Sequence, residues 1–162
     1  MLIEPLLPTH AEDVLNIYRQ GIATGMSTFE TEAPDWQWFD EKFLSHSRLV
    51  ITENNQVLGF ATLAPVSKRA CYSGVGEISI YLHEQARGKG MGKLLLNELI
   101  SVSEANNIWS LLSVIHEENK ASIQLHQQCG FRMIGYRENI AQLNGVWKTT
   151  VMMERRSKIV GV

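Results

Sequence analysis

The chain passes from strand to helix through Gln85-Ala86-Arg87-Gly88-Lys89-Gly90-Met91-Gly92, and few folds accommodate such a junction. Upstream, Glu77-Ile78-Ser79-Ile80-Tyr81-Leu82 alternates as a strand does; downstream, Lys93 to Ile100 has the spacing of a helix. Glycine lets the backbone bend tightly and lets a ligand come close to it. The first N–H groups of a helix have no acceptor inside it, and the helix dipole is positive there. Together these features make an anion cradle suited to phosphate or pyrophosphate. Arg87, Lys89 and Lys93 add positive charge at the same place. The spacing is not a Walker loop, because Lys93 is followed by Leu94 and no glycine stands five residues before Gly92. It is not a Rossmann turn either, since the glycines run Gly-x-Gly-x-Gly and the strand that follows, from Ile108 to Val114, carries no acidic residue. A tight turn without a ligand is the alternative.

The rest of the chain reads as one domain over residues 1–155 with a loose tail over 156–162. Its 162 residues, 44% hydrophobic and 20% charged, suit a globular protein with a core of its own. A net charge of −2 gives no basic footprint for nucleic acid. No apolar run is long enough to span a membrane, and Glu4 and Pro5 interrupt the first apolar residues, so no signal-peptide pattern forms. Cys71 and Cys129 form no CxxC pair and read as free, packed thiols of a cytoplasmic protein. Histidines 10, 46, 83 and 116 lack metal-ligand spacing, so no metal site is expected.

The expected order is β-α-α-β-β-β-α-β-α-β-β, an α/β (α+β) arrangement. Strands are expected at Met1–Leu6, Arg48–Thr52, Val57–Ala64, Glu77–Leu82, Trp109–Ile115, Phe131–Leu143 and Val146–Met153. Thr9-His10-Ala11-Glu12 reads as a capping box for the first helix, and Pro34 as the first turn of a short second one. The third helix is expected to bury Met91, Leu94, Leu95, Leu99 and Val102; the fourth spans Asn119–Cys129 and ends at Gly130. Asn144-Gly145 signals a hairpin. Two strand–helix–strand steps suggest parallel pairing beside antiparallel hairpins.

Gln85-x-x-Gly88-x-Gly90 resembles the acetyl-CoA pyrophosphate loop of the GNAT (Gcn5-related) N-acetyltransferases. Asn119-Lys120-Ala121-Ser122-Ile123-Gln124-Leu125-His126 and Cys129-Gly130-Phe131 resemble the second half of that family's cofactor site. Within the superfamily the chain is most similar to the phosphinothricin and methionine sulfoximine acetyltransferases, through Thr28-Phe29, Arg69-x-x-Tyr72, Glu77-x-Ser79-x-Tyr81, Leu125-His126 and Gly145-x-Trp147. The resemblance implies the GNAT fold: a mixed central sheet of six to seven strands flanked by about four helices. It also implies acetyl transfer from acetyl-CoA to an amine, and a homodimer.

It further implies roles for particular residues. Glu77 becomes the candidate general base and His126 the second catalytic candidate, as proton donor to the thiolate, helper of Glu77 or hydrogen-bonding bystander. The bland alternative for Glu77 is a strand carboxylate paired with Lys or Arg. Ile78, Ile80, Gln85, Arg87, Gly88, Lys89, Gly90, Met91, Gly92, Lys93, Asn119, Ser122 and Leu125 would bind the cosubstrate. Asn119 would also cap its helix. Phe29, Arg69, Tyr72, Glu77 and Trp147 would meet the acceptor, Arg69 by its fork on a carboxylate or phosphinate, unless it is only a solvated loop arginine. Val66 stands where the subgroup often has tryptophan, and Thr149 where it often has aspartate, so the substrate need not be the subgroup's. The readings in play are therefore an amino-acid N-acetyltransferase, a peptide or protein N-acetyltransferase, and an idle acyl-CoA-binding module.

Overall fold

The computed structural model describes residues 1–162. Seven strands form one sheet in the order β1-β2-β3-β4-β5-β7-β6. They are β1 (Leu2–Pro5), β2 (Leu49–Glu53), β3 (Gln56–Pro65), β4 (Val75–Leu82), β5 (Ser110–His116), β6 (Arg132–Leu143) and β7 (Val146–Arg156). The helices are α1 (Ala11–Ala23), α2 (Trp36–Lys42), α3 (Met91–Ala105) and α4 (Lys120–Gln128). The sheet is mixed, as expected, because one neighbouring pair alone is parallel: β4 and β5, joined by the α3 crossover. The second strand–helix–strand step gives no parallel ladder. The β6–β7 hairpin folds back so that β7 takes the place beside β5, and β6 is left at the edge.

Local chemistry accounts for most boundaries. Asn54-Asn55 and Asn144-Gly145 both adopt positive φ, as two-residue turns between twisted strands demand. Asp35 caps α2 by accepting from the Trp38 N–H at 2.8 Å, and Asn119 caps α4 by accepting from the Ser122 N–H at 3.2 Å. The capping box expected at Thr9 does not form. Residues 8–10 make a 3₁₀ turn instead, in which the Leu7 N–H donates to His10 Nδ1. Pro34 lies ahead of the Asp35 cap rather than inside α2.

Two apolar layers cover the sheet. α1 and α2 pack Val14, Ile17, Tyr18, Phe39 and Phe43 against Val50, Val57 and Phe60 on one face. α3 packs Met91, Leu95, Leu96, Leu99 and Ile100 against Ile51, Leu63, Ile78 and Leu111 on the other. Leu94, expected in this layer, is 46% exposed, whereas Leu96 is fully buried. The helix axis is turned so that positions 91, 92, 95, 96, 99 and 100 face the sheet. Each fully buried leucine contributes about 1.5–3 kcal/mol.

The tail is not loose. β7 runs to Arg156, whose guanidinium donates to the carbonyl oxygens of Trp109, Ser157, Val160 and Gly161. Trp109 is held between Gly74, where an added Cβ would lie 2.0 Å from its ring, and Gly161.

Candidate active site

The ladder between β4 and β5 covers only Val75–Glu77 against Ser110–Leu112. Beyond that point the two strands part. Ile78, Ser79, Ile80 and Tyr81 form one wall of the gap and Ser113, Val114, Ile115 and His116 the other, and a cavity of about 200 Å³ occupies it. Side chains alternate across a sheet. The register therefore sets Glu77, Ser79 and Tyr81, with Leu112, Val114 and His116, on the face covered by α1 and α2. Ile78, Ile80, Ser113 and Ile115 face α3 and α4. The gap thus opens through the sheet, and the β4 edge beyond Glu77 offers backbone groups that β5 does not pair.

The glycine turn stands where β4 ends. Gly88 and Gly90 have φ of +73° and +79°, and a Cβ at either would meet no protein atom within 4 Å. Only glycine adopts this conformation freely, and the surface beside it is open. Gly90 is the N-cap of α3, and its carbonyl accepts from the N–H groups of Lys93 and Leu94. The N–H groups of residues 88–92 have no acceptor in the protein. Lys89 and Lys93 are exposed beside them, while Arg87 Nε donates back to the Leu82 carbonyl at 3.2 Å. These residues fit a diphosphate: free donors, a helix N-terminus and lysines. Gly92 serves packing, because its added Cβ would lie 3.2 Å from Leu125 and 3.3 Å from Leu82. Met91 is buried under the turn.

Glu77 is partly buried and lines the cavity. It takes part in none of the ion pairs, which join Arg48 to Asp40, Arg132 to Glu154, Lys148 to Glu118 and Arg155 to Glu104. The structural alternative, a carboxylate neutralised by Lys or Arg, is therefore not the arrangement found.

His126 lies deeper, 1% exposed, on α4. Its Nδ1 is 2.8 Å from the Ser122 carbonyl and its Nε2 is 3.0 Å from Ser113 Oγ. A carbonyl only accepts, so Nδ1 carries the proton and Nε2 accepts from the serine hydroxyl. Burial lowers the pKa of this imidazole, and the bond to Ser122 offsets only part of that shift. His126 is therefore neutral near pH 7 and satisfied at both nitrogens.

The segment between α1 and α2 roofs the cavity with Met26, Ser27, Thr28 and Phe29. Asn119 Nδ2 donates to the Met26 carbonyl at 3.2 Å, and the Tyr81 hydroxyl donates to the Ser27 carbonyl at 3.3 Å. Burial, with Tyr18 nearby, keeps the Tyr81 phenol protonated.

The cavity thus gathers Phe29, Glu77, Ile78, Ile80, Asn119, Ser122 and His126. Leu125 packs against the Gly92 backbone, and Gln85 is exposed in the 3₁₀ turn ahead of Arg87. Three substrate candidates stand outside. Arg69 lies over the Tyr72 ring at 5.7 Å, both in an exposed loop. Trp147 is 57% exposed, and alternation along β7 sets it on the face opposite Glu77. Lys42, Ser113, His116 and Thr150 line the cavity without having been marked by sequence. One signal was available for two of them, since Ser113 and His116 are polar positions next to Leu111, Leu112, Val114 and Ile115.

The chain has relatives among known proteins. Residues 14–131 match the Acetyltransferase (GNAT) family. A phosphinothricin N-acetyltransferase of Alcaligenes faecalis is 30% identical, over 86% of this chain and 74% of its own. An L-methionine sulfoximine/L-methionine sulfone acetyltransferase of Pseudomonas aeruginosa is 29% identical, over 72% of this chain and 69% of its own. A crystal structure of a GNAT superfamily phosphinothricin acetyltransferase from Sinorhizobium meliloti, in complex with AcCoA, superposes with a TM-score of 0.90. It is 27% identical and covers 99% of this chain and 90% of that one.

Proposed function

Because the chain belongs to the GNAT acetyltransferase family, we propose that it moves the acetyl group of acetyl-CoA to the amine of a small amino-acid analogue. The class is that of methionine sulfoximine, methionine sulfone or phosphinothricin, the compounds named for its relatives. One observation carries the reading: Glu77, free of any ion pair, lines a gap in the sheet that leads to a glycine turn with five unaccepted N–H groups.

The chemistry follows from these groups. Acetyl-CoA supplies an activated thioester. The N–H groups of residues 88–92 and the side chains of Lys89 and Lys93 hold its diphosphate, and the free β4 edge at Ile78 and Ile80 aligns its arm, with Asn119 and Ser122 alongside. An α-amino group has a pKa near about 8, so much of it is protonated at neutral pH and cannot attack. Glu77 takes that proton, directly or through one water. A backbone N–H of the β4 edge donates to the carbonyl oxygen as it gains charge. As the amine nitrogen bonds to the acetyl carbon the C–S bond breaks, the departing CoA thiolate takes the second proton released by that nitrogen, and Glu77 returns the first to solvent. His126 acts as a positioning residue: it fixes the Ser113 hydroxyl in the cavity wall and does not itself carry a mobile proton.

Tyr136 and Trp147, exposed on one face of the β6–β7 arm, leave apolar surface there, which favours a homodimer. Sedimentation is expected to give twice the chain mass.

An acceptor screen that follows thiol release from acetyl-CoA tests the function. Turnover is expected with free amino-acid sulfones, sulfoximines or phosphinothricin. Turnover with peptides alone would replace this reading by a peptide acetyltransferase, and tight CoA binding without turnover on any amine by an idle module.

A further inference from the structure

Two polar side chains in the cavity have no part in the transfer chemistry. His116, at the end of β5, is 4% exposed, and neither Nδ1 nor Nε2 has a partner in the protein. Thr150 is its register partner on β7, 1% exposed, and its Oγ1 is also unpartnered. Both line the cavity that holds Glu77. A buried donor or acceptor left unmade is destabilising, and such groups are rare in folded proteins. Here two stand side by side. His126, in the same cavity, is the internal contrast, since both of its nitrogens are engaged within the protein. The Phe29 ring lies 4.6 Å from the His116 ring at 49°, closing one side with hydrocarbon.

We propose that His116 and Thr150 form the subsite for the acceptor's side-chain head, and that this subsite takes an uncharged head rich in acceptor atoms, such as a sulfone or sulfoximine, in preference to an anionic phosphinate or carboxylate. The proposal rests on the acetyl-transfer reading and narrows it. Burial holds the His116 imidazole below its ordinary pKa; Glu118 opposes that shift and Lys148 reinforces it, and these two are paired with each other. A neutral imidazole gives one donor and one acceptor, and the threonine hydroxyl gives a second donor. Two donors without formal charge match the two oxygens of a sulfone. The remaining imidazole nitrogen can accept from the N–H of a sulfoximine. An anion in this corner would be desolvated against Phe29 with no cation of its own. Lys42, the one cation lining the cavity, is exposed and lies over the Trp38 ring at 4.5 Å, and in this proposal it meets the acceptor's α-carboxylate. Leu112, the register partner of Glu77, and His116 are four residues apart on β5, a rise of roughly 13 Å. An α-amino acid of methionine's length, hydrogen-bonded at both ends, covers that span.

The test compares kcat/KM for methionine sulfone with that for methionine, which lacks the head oxygens, in the parent, Thr150→Val and His116→Leu. The ratio of sulfone to methionine is expected to fall about tenfold in each variant, through KM for the sulfone, with KM for acetyl-CoA unmoved. His116→Gln, which keeps a donor and an acceptor, is expected to restore most of the ratio. Thr150→Val retains the side chain's shape and decides the matter if His116→Leu folds poorly. A role confined to packing would lower both substrates together and leave the ratio fixed, which overturns the proposal. So does a parent enzyme that prefers phosphinothricin to the sulfone. Turnover of no free amino acid at all defeats the acetyl-transfer reading and this subsite with it, whereas turnover with an unmoved ratio defeats the subsite alone.

Discussion

Glu77 and His126 are both partly or wholly buried in one cavity, yet the structure gives them opposite chemical freedom. Glu77 has no partner ion, so its carboxylate is available to an incoming ammonium. Glu77→Gln is expected to lower kcat by about 10²-fold or more at pH 7–8 while CoA affinity, measured by calorimetry, stays within about twofold. Equal activity of parent and variant across pH would remove it from the base role. His126 is locked neutral, and this has a consequence for stability. Its folded pKa lies below the ordinary histidine value near about 6.5, so below that pH the unfolded chain binds more protons than the fold does. The His126 contribution is whole above that pH and is lost as the pH falls toward the depressed folded value, by up to about 1.4 kcal/mol per unit. His116, lowered in the same direction by burial, adds to the slope. Melting temperature is therefore expected to fall between pH 7 and pH 5, and to fall less steeply in His126→Gln. Parallel slopes would assign acid sensitivity to other groups. Sequence marked both Glu77 and His126, but it did not show that His126 spends its nitrogens on Ser113 and Ser122. That depends on α4 docking over β5, a contact between residues with no sequence pattern in common.

The β4–turn–α3 unit was legible because local rules alone dictate it: alternation before the turn, positive φ at Gly88 and Gly90, and apolar spacing after it. A Gly90→Val change is expected to weaken CoA binding by about tenfold or more, since φ of +79° is strained for a β-branched residue and its side chain would occupy the open surface beside the free N–H groups. Unchanged CoA affinity would exclude the turn as the diphosphate site. The hairpin at Asn144-Gly145 was legible for the same local reason. Other features were not. The parting of β4 and β5 after Glu77 is a property of two strands and a crossover, and it brings in His116 and Thr150 from elements that sequence treats separately. The rotation of α3 that exposes Leu94 and buries Leu96 is set by the sheet it meets, which a run of three leucines cannot specify.

At the scale of the whole molecule, the carboxyl end behaves as part of the domain. Residues 157–161 cover Trp109 and supply carbonyl acceptors to Arg156, an arrangement that depends on backbone groups and so leaves no pattern in Ser157-Lys158-Ile159-Val160-Gly161. Ending the chain after Ser157 is expected to lower the melting temperature by about 2–4 °C for each kcal/mol of lost contacts. An unchanged melt would show that Trp109 packs as well without them. The through-sheet gap between β4 and β5 reaches further than any one residue. A wall with a window can be approached from indoors and outdoors at once, so neither reagent has to leave before its partner arrives. The enzyme is expected to assemble both on one copy, and its double-reciprocal rate plots to intersect rather than run parallel.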